Sequence, residues 1–263
     1  MANNVPSAGS RGGRVLLEGV GKVFGEGEGQ VIAVDNVSLK IEAGEFVVLL
    51  GPSGCGKTTI LRMIGGLERP TSGKLEFQGA SQAGADIAIA FQDPRLFPWM
   101  SVADNISLPL RLRGVSAGER RDRAQDLSAL VGLTGFEDAS PNALSGGMKQ
   151  RASIARALSV EPGTLLLDEP FGALDAMTRD QMNLELQRIW MTTGATIVLV
   201  THSINEAVFL GDRIVLLSPR PGRIHKIYTA DFPRPREVDI QSSATFQSIV
   251  RDIRHELNGF ANS

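Results

Sequence analysis

The sequence has few of the features that mark several other classes of protein. Its 263 residues include a single cysteine, Cys55, so no disulfide can form within the chain, which fits a reducing cytoplasm. Lysine and arginine number 27 against 29 aspartate and glutamate, and the formal net charge of −2 argues against a nucleic-acid partner bound through a generally basic surface. Apolar runs such as 46–50 and 197–200 are far shorter than the roughly 20 residues of a membrane-spanning helix. We therefore expect a soluble chain that reaches any membrane through a partner.

The arrangement of apolar residues predicts an α/β fold. Hydrophobic residues make up 42% of the chain, which is enough for one large domain with a buried core. Residues 46–50 are continuously apolar, as in a central parallel strand, and a Gly-rich loop and a helical stretch at 58–65 follow them. Apolar runs then alternate with helical patterns across 164–217. That alternation predicts a parallel sheet whose strands are joined by crossover helices.

Changes of character along the chain predict its organisation. The first thirteen residues are small, polar and Gly-rich, and they lack the apolar stretch of a signal peptide, so we predict a disordered tail at 1–13. The main domain is predicted at 14–230. Charges and leucines at helical spacing predict a helical subdomain within it at about 93–160. Two prolines and a final amphipathic pattern predict an extended arm and a C-terminal helix at 231–263.

A phosphate-binding loop is predicted at residues 51–58, which read GPSGCGKT and fit the pattern G-x-x-x-x-G-K-[ST]. Glycines let backbone N–H groups approach phosphate oxygens, and the helix that follows directs its positive dipole end at them. We expect Lys57 to reach the β- and γ-phosphates of a nucleotide and the Thr58 hydroxyl to ligate Mg²⁺. Cys55 is either a reactive thiol or, as we favour, a small residue in a variable slot of the loop.

Two acidic residues and a histidine follow buried strands further along the chain. Asp168 and Glu169 end the apolar run that starts at residue 164. We expect this strand to lie next to the phosphate-loop strand, so that Asp168 holds Mg²⁺ through water, while Glu169 points elsewhere and accepts a proton from the attacking water. The alternative is a pair of solvated acids. His202 ends another strand, expected to neighbour Asp168, and either has a structural role or, as the topology favours, contacts the γ-phosphate.

The segment Leu-Ser-Gly-Gly-Met at 144–148, followed by Lys-Gln-Arg and a helix, resembles the signature motif of ATP-binding-cassette (ABC) ATPases. The phosphate loop, this signature, the strand ending at Glu169, the Gly-Ala-Leu-Asp run at 172–175 and His202 follow one another in the family's order. The resemblance implies an α/β fold of the P-loop NTPase (RecA-like) type. Its parallel-sheet core would carry an antiparallel β subdomain and a helical insert. It also implies ATP and Mg²⁺ as cofactors.

The resemblance covers roughly residues 14–228 and implies roles for the residues that match the family's motifs. Phe24 matches an aromatic residue, usually tyrosine, that stacks on adenine, and Gln92 matches a residue that senses Mg²⁺ and the attacking water. Catalysis is thereby assigned to Glu169, His202 and Gln92, and Mg²⁺ binding to Thr58, Gln92 and Asp168. Nucleotide binding is assigned to Phe24, Gly51, Ser53, Gly54, Cys55, Gly56, Lys57, Thr58 and Thr59. Contact with the ATP of an opposite subunit is assigned to Ser145, Gly146, Gly147 and Met148, and the dimer interface to Asp175.

The signature also makes physical sense as a second anion site. A serine stands just before the helix predicted at 147–158, so its hydroxyl and the helix N-terminus can bind phosphate. Two separated anion sites on one chain suggest a head-to-tail dimer with each ATP clamped between two copies. The family's signature usually ends in glutamine, where this chain has Met148. Because the binding groups are the hydroxyl, backbone N–H groups and helix dipole, we expect activity to survive this change.

Three further segments, 91–99, 201–210 with 220–223, and 232–236, resemble the nitrate/sulfonate/taurine-type importers, whose relatives also carry bicarbonate and pyrimidine precursors. The resemblance implies an ATP-hydrolysing subunit at the cytoplasmic face of the inner membrane. It would act with an integral membrane permease and, indirectly, a substrate-binding protein. The segment from Leu96 to Met100 is apolar and aromatic, and we predict that it contacts the permease. The alternative is ordinary packing of the insert on the core.

Other functions of P-loop proteins fit the sequence less well. Translation factors of the ABC superfamily carry two cassettes in one chain, and its DNA-repair members carry long coiled coils or zinc-binding inserts. An iron–sulfur assembly ATPase not coupled to transport remains the main alternative. A P-loop kinase would leave the signature and Asp175 without a role. The transported solute cannot be predicted from this chain.

Overall fold

The chain alternates strands and helices for most of its length. The computed structural model describes residues 12–78, 87–172 and 174–261, and most of the tail predicted at 1–13 lies outside them. The strands are β1 (Arg14–Phe24), β2 (Val31–Ile41), β3 (Phe46–Leu50), β4 (Ser72–Gln78), β5 (Ile87–Ala90), β6 (Thr164–Asp168), β7 (Thr196–Thr201), β8 (Arg213–Leu217) and β9 (Ile224–Thr229). The helices are α1 (Lys57–Ile64), α2 (Val102–Leu112), α3 (Ala117–Leu130), α4 (Gly146–Leu158), α5 (Ala176–Thr193), α6 (Ile204–Leu210) and α7 (Ala244–Ala261).

These strands form two sheets. An antiparallel sheet has the order β2-β1-β4, and a second sheet has the order β5-β6-β7-β3-β8-β9. In the second sheet β5, β6, β7, β3 and β8 are parallel, whereas β9 pairs antiparallel with β8. The predicted parallel core with an antiparallel β subdomain is therefore confirmed. Strands β3, β6 and β7 are buried along their whole length, which explains why their sequences are apolar without alternation.

Each face of the parallel sheet packs against a separate hydrophobic core. Along β3, Val47 and Leu49 belong to the core shared with the antiparallel sheet and α1. Phe46, Val48 and Leu50 belong to the core shared with the other helices. Successive side chains of a strand point to opposite faces, so five consecutive apolar residues fill two cores at once. This packing fixes the carboxyl end of β3, where the phosphate loop begins.

The predicted helical insert is present and contains α2, α3 and α4. Helix α3 begins with a capping box in which Ser116 and Glu119 each bond to the other's backbone N–H. Helix α4 begins at Gly146, one residue earlier than predicted. Helix α2 follows the cap residue Ser101 and was not predicted as a separate helix. The boundaries assigned from the sequence to the domain and its helical subdomain remain predictions.

The C-terminal segment packs onto the core instead of lying free on the surface. The 231–236 arm has no regular secondary structure, but the side chains of Arg234 and Arg236 within it are buried. Helix α7 buries Phe246, Val250 and Ile253 in the same core as Phe46. These three residues share one face of the helix, which is the face that packs on the core.

Candidate nucleotide site

The phosphate loop connects β3 to α1 and is held in a tight conformation by its own residues. Gly56 caps α1 with a φ of 95°, in the left-handed region that favours glycine. A Cβ at Gly56 would lie 2.7 Å from the carbonyl oxygen of Ala33 on β2. The Lys57 ammonium donates to the carbonyl oxygens of Gly51 and Pro52, at 2.9 Å each. The N-terminus of α1 and the lysine therefore meet at one place, as an anion site requires.

Asp168 lies against the phosphate loop, although not through the strand pairing we expected. The Thr58 hydroxyl donates to Asp168 Oδ1 at 2.8 Å. Strand β7 lies between β6 and β3, so the prediction that these two strands are neighbours is wrong. The contact still forms because α1 packs against both β6 and β7, so that Thr58 on its first turn can reach Asp168 at the end of β6. Burial raises the pKa of Asp168, and the hydrogen bond from Thr58 opposes that shift.

Glu169 and His202 form a pair at the ends of neighbouring strands. His202 Nδ1 lies 3.1 Å from Glu169 Oε2. The β6–β7 pairing aligns Asp168 with Val200, which confirms that the strand ending near His202 neighbours Asp168. Glu169 has a φ of 46°, a left-handed conformation that is unusual for a residue with a side chain. Its amide donates to the Val200 carbonyl at 2.9 Å, which holds this turn in place.

A cavity of about 270 Å³ opens beside these groups. Its wall brings together residues from the antiparallel sheet, from the first turn of α1 and from the loops at the carboxyl edge of the parallel sheet. The lining residues are Phe24, Val31, Ala33, Ser53, Gly54, Gly56, Lys57, Thr58, Thr59, Glu169 and Arg220. Nine of them belong to β1, β2 or the loop and first turn of α1. Phe24 lies at the end of β1, with Lys22 Nζ 4.9 Å from its ring centre. The cavity thus has an aromatic wall at one side and an anion site at the other.

The residues present fit a magnesium ion bound with a nucleotide. Thr58 and Asp168 offer a hydroxyl and a carboxylate, the hard oxygen ligands that Mg²⁺ prefers. Among the described residues, no three His, Cys, Asp or Glu side chains cluster closely enough to hold a metal by themselves. Mg²⁺ in nucleotide sites is commonly bound by one or two protein oxygens together with phosphates, and the Thr58–Asp168 pair provides those protein ligands.

Cys55 is not on the cavity wall and is fully buried. Burial raises the pKa of its thiol, and the Lys57 charge acts in the opposite direction. A buried thiol with a raised pKa is a poor nucleophile. The geometry therefore favours the interpretation of Cys55 as a small residue that fits the loop.

Arg220 is a residue of the cavity wall that was not included among the predicted site residues. It lies on the loop between β8 and β9, and its Nε donates to the Gly54 carbonyl at 3.3 Å. The sequence contained a partial signal, because 220–223 were identified as a motif of the importer subfamily. The motif did not predict that these residues lie next to the phosphate loop.

The signature residues and Asp175 do not line this cavity in the part of the chain that the structure describes. They lie together at the starts of α4 and α5. Ser145 caps α4 and accepts from the Met148 amide at 3.3 Å. A Cβ on Gly147 would lie 3.4 Å from the Thr178 methyl group, and Asp175 caps α5 by accepting from the Thr178 amide at 3.0 Å. The starts of α4 and α5 thus form one exposed face with Ser145 and Asp175 at its surface.

Gln92 is exposed in the loop after β5, outside the cavity wall. Helix α4 holds this loop through two side chains. Gln150 donates to the Phe91 carbonyl at 3.2 Å, and Arg156 donates to the carbonyls of Pro94 and Arg95 at 2.7 and 2.9 Å. The loop that carries Gln92 is therefore attached to the same helix that begins at the signature.

The 96–100 segment is held by hydrogen bonds to a buried side chain, and its aromatic residues are exposed. Asn105 is fully buried and donates to the carbonyls of Phe97, Met100 and Ser101, while its side-chain oxygen accepts from the Phe97 amide at 2.8 Å. The Trp99 side chain is 78% exposed and its ring centre lies 5.3 Å from that of Phe97. An aromatic surface on a rigid support is typical of a partner site.

The fold and this cavity define a P-loop nucleotide-binding protein with an inserted helical subdomain. The family model for ABC transporters matches residues 34–172, and the chain belongs to that family. It is an ATP-hydrolysing subunit of the family, as the sequence predicted. Every helix in the described residues is either too short or too polar to span a membrane.

Characterised relatives and solved structures agree with this assignment. The chain is 45% identical over 223 residues to a taurine import ATP-binding protein of Burkholderia pseudomallei, covering 84% of this chain and 86% of the relative. It is 46% identical over 218 residues to a nitrate import ATP-binding protein of Synechocystis, covering 82% of each. A dimeric ATP-binding cassette with bound ADP and Pi is 35% identical, with a TM-score of 0.73 over 83% of this chain and 100% of the other. The predicted resemblance to the ABC family and to its nitrate/sulfonate/taurine-type importers is confirmed.

Proposed function

We propose that this chain powers the uptake of a small solute, such as nitrate, a sulfonate or taurine, through a separate membrane permease. The observation that supports it most directly is the convergence of Lys57, Thr58 and Glu169 on one cavity whose phosphate-binding half is complete. The names of the taurine and nitrate relatives support the class of solute. A permease and a substrate-binding protein are the partners, and the chain lies on the cytoplasmic face of the inner membrane.

The residues assigned to the site each have a proposed part in ATP hydrolysis. Phe24 stacks on adenine, and the backbone N–H groups of the phosphate loop hold the phosphates. Lys57 exchanges its bonds with the loop carbonyls for bonds to the β- and γ-phosphates. Thr58 and Asp168 hold Mg²⁺, which when bound stabilises the negative charge on the transferred phosphoryl group. Gln92 is the remaining proposed ligand of that ion.

Glu169 is the proposed proton acceptor and His202 its positioning partner. The His202 Nδ1 contact at 3.1 Å restricts the rotamer of the Glu169 carboxylate. Glu169 is on the cavity wall, whereas the neighbouring Asp168 turns toward Thr58. Two adjacent acids thus face different groups, which supports the separate roles proposed for them. A carboxylate that faces the cavity can take a proton from water as the phosphorus–oxygen bond forms.

The second half of the site is proposed to come from another copy of the chain. Ser145 and the N-terminus of α4 form an exposed anion-binding end, and they lie beside Asp175 on one face. Because they are not on the wall of their own chain's cavity, they are available for the ATP of a partner. A head-to-tail pair would contain two equivalent ATP sites. The dimeric cassette with 35% identity supports this arrangement.

The permease is proposed to bind the 96–100 segment. Its support by Asn105 keeps the exposed Trp99 and Phe97 rings in place without a partner. The Arg156 bonds connect this part of the chain to the helix that begins at the signature. A short helix of the permease that covers these rings would bury aromatic surface, which is a strong source of affinity.

Glu169→Gln tests the proposal, because glutamine keeps the shape of the side chain and cannot accept the proton. We expect steady-state hydrolysis to fall by a factor on the order of 10² to 10⁴, with ATP binding retained. The variant should form a stable dimer with ATP and Mg²⁺, measured by light scattering after size exclusion. Glu185→Gln on the surface of α5 is the matched control and should behave as the wild type. A Glu169→Gln protein that stays monomeric at saturating ATP would count against the dimer.

A further inference from the structure

Arg220 extends the nucleotide site beyond the residues that the sequence motifs assign. It lies on the wall of the cavity together with Lys57 and Phe24. Its Nε donates to Gly54 in the middle of the phosphate loop, so its guanidinium stands beside the backbone groups that bind phosphate. Arg220 belongs neither to the phosphate-loop motif nor to the signature motif, so those motifs give it no role.

The loop that carries Arg220 is held in position on both sides. The Gly222 amide donates to the Ala33 carbonyl at 3.0 Å, and the Asp35 amide donates to the Gly222 carbonyl at 3.0 Å. A Cβ on Gly222 would lie only 2.0 Å from the carbonyl oxygen of Cys55, so the loop is packed directly on the phosphate loop. Arg220 is therefore placed by strand β2 and by the phosphate loop themselves.

The charge of Arg220 is not neutralised by a neighbouring acid. Within the described residues, no carboxylate lies at ion-pair distance from it, whereas Arg223 on the same loop donates its Nε to Asp35 at 2.9 Å. The contact with Gly54 uses one N–H of the five that a guanidinium offers. Lys57 is buried and tied to the loop carbonyls, so Arg220 provides a second cation at the rim of the same anion site.

We propose that Arg220 binds the phosphate chain of the nucleotide, as an exposed planar donor beside the buried point charge of Lys57. A guanidinium can make two parallel bonds to phosphate oxygens, which an ammonium cannot. This assignment rests on the proposed ATPase function of the cavity. It adds a nucleotide contact supplied by the loop between β8 and β9.

The test compares Arg220→Gln, Arg220→Lys and the control Arg223→Gln. Dissociation constants are measured by calorimetry for ATP, ADP and adenosine, in the presence of Mg²⁺ and at a protein concentration where light scattering shows monomers. We expect Arg220→Gln to raise the constants for ATP and ADP about tenfold, as for the loss of one partly exposed charge-assisted bond. Arg220→Lys should give an intermediate value. The constant for adenosine, and all three constants of the control, should stay within about twofold of the wild type.

Two results would overturn the assignment while leaving the ATPase function intact. One is wild-type affinity for ATP in Arg220→Gln. The other is an equal loss for adenosine, which would place the arginine on the base or ribose. If the wild-type chain bound no ATP, the proposed function itself would fail and this assignment with it. Thermal unfolding without nucleotide verifies that each variant is folded as the wild type.

Discussion

Replacing Arg236 with methionine tests how the C-terminal arm stabilises the helix next to His202. The Arg236 side chain is 2% exposed, and its guanidinium donates to backbone carbonyls at 2.8–3.1 Å. The acceptors are Val208, Phe209 and Gly211 at the end of α6, and Ala230 after β9. The last carbonyls of a helix have no partner within it, so this arginine caps α6 from outside.

The expected loss of stability follows from these bonds. Each buried carbonyl that loses its donor costs about 1–3 kcal/mol, and the lower end of that range gives about 4 kcal/mol for four acceptors. Part of this loss of stability is offset, because burying an uncharged methionine avoids the cost of desolvating the charged guanidinium. Burial and the nearby Arg234 charge lower the pKa of Arg236 to about 9, which indicates that the desolvation is considerable. We expect a net loss of about 2–4 kcal/mol in the free energy of unfolding.

Urea denaturation followed by circular dichroism measures this difference. Arg254→Met on the exposed face of α7 is the matched control, and it should change the free energy by less than about 0.5 kcal/mol. ATP affinity of folded Arg236→Met should be unchanged, because the phosphate loop is carried by β3 and α1. An unfolding free energy of Arg236→Met equal to that of the wild type would refute the view that this arginine caps α6.

Three further predictions concern Trp99, Glu206 and Cys55. Trp99→Ala should reduce transport in membranes that contain the permease and leave the ATPase rate of the isolated chain unchanged. The control Leu112→Ala, at a residue that is 79% exposed, should leave both transport and the ATPase rate unchanged. Normal transport by Trp99→Ala would rule out the proposed contact between Trp99 and the permease. Burial raises the pKa of Glu206 to about 7, so its protonated form adds stability below about pH 4.5 that is lost as the pH rises through 7. The stability of Glu206→Gln should therefore not depend on pH in this way, and its free energy of unfolding at pH 8, measured by thermal unfolding, should exceed that of the wild type by about 3 kcal/mol. Identical pH profiles of stability for the two proteins would disprove this prediction. The Cys55 thiol, buried with a raised pKa, should react with a thiol reagent only after unfolding in denaturant, and fast labelling of the native chain would contradict its placement.

Patterns that are local in the sequence predicted the order of strand, loop and helix around the phosphate loop. The apolar run of β3, the Gly-rich loop and the helix after it form a continuous stretch, so their order alone placed Lys57 and Thr58 at an anion site. Asp168 and His202 could be placed because the carboxyl ends of parallel strands share one edge of the sheet. The same reasoning was wrong about the adjacency of β3 and β6, because strand order is set by crossover connections that local patterns do not encode.

Features that depend on distant parts of the chain were not predictable in this way. Helix α2 contains a buried polar residue, Asn105, and an internal proline, Pro109, both of which obscure the helical period. Strand β9 is at the edge of its sheet and only partly buried, so its sequence shows no clear alternation. Charged side chains are usually exposed, and only the carbonyls at the end of α6 explain the burial of Arg236.

Helix α4 connects the two places where the proposed function requires a partner. Its first residue follows Ser145, which is proposed to bind the ATP of a second chain, and its last turn carries Arg156, which holds the carbonyls next to the 96–100 segment. Thirteen residues of α-helix span about 20 Å, and a helix transmits a shift at one end to the other with little loss. Closure of a dimer on ATP would therefore move the exposed Trp99 surface together with the signature. Arg156 lies outside both the phosphate loop and the signature motif. Because its bonds attach the loop before residue 96 to α4, this proposed movement requires no change in the parallel sheet.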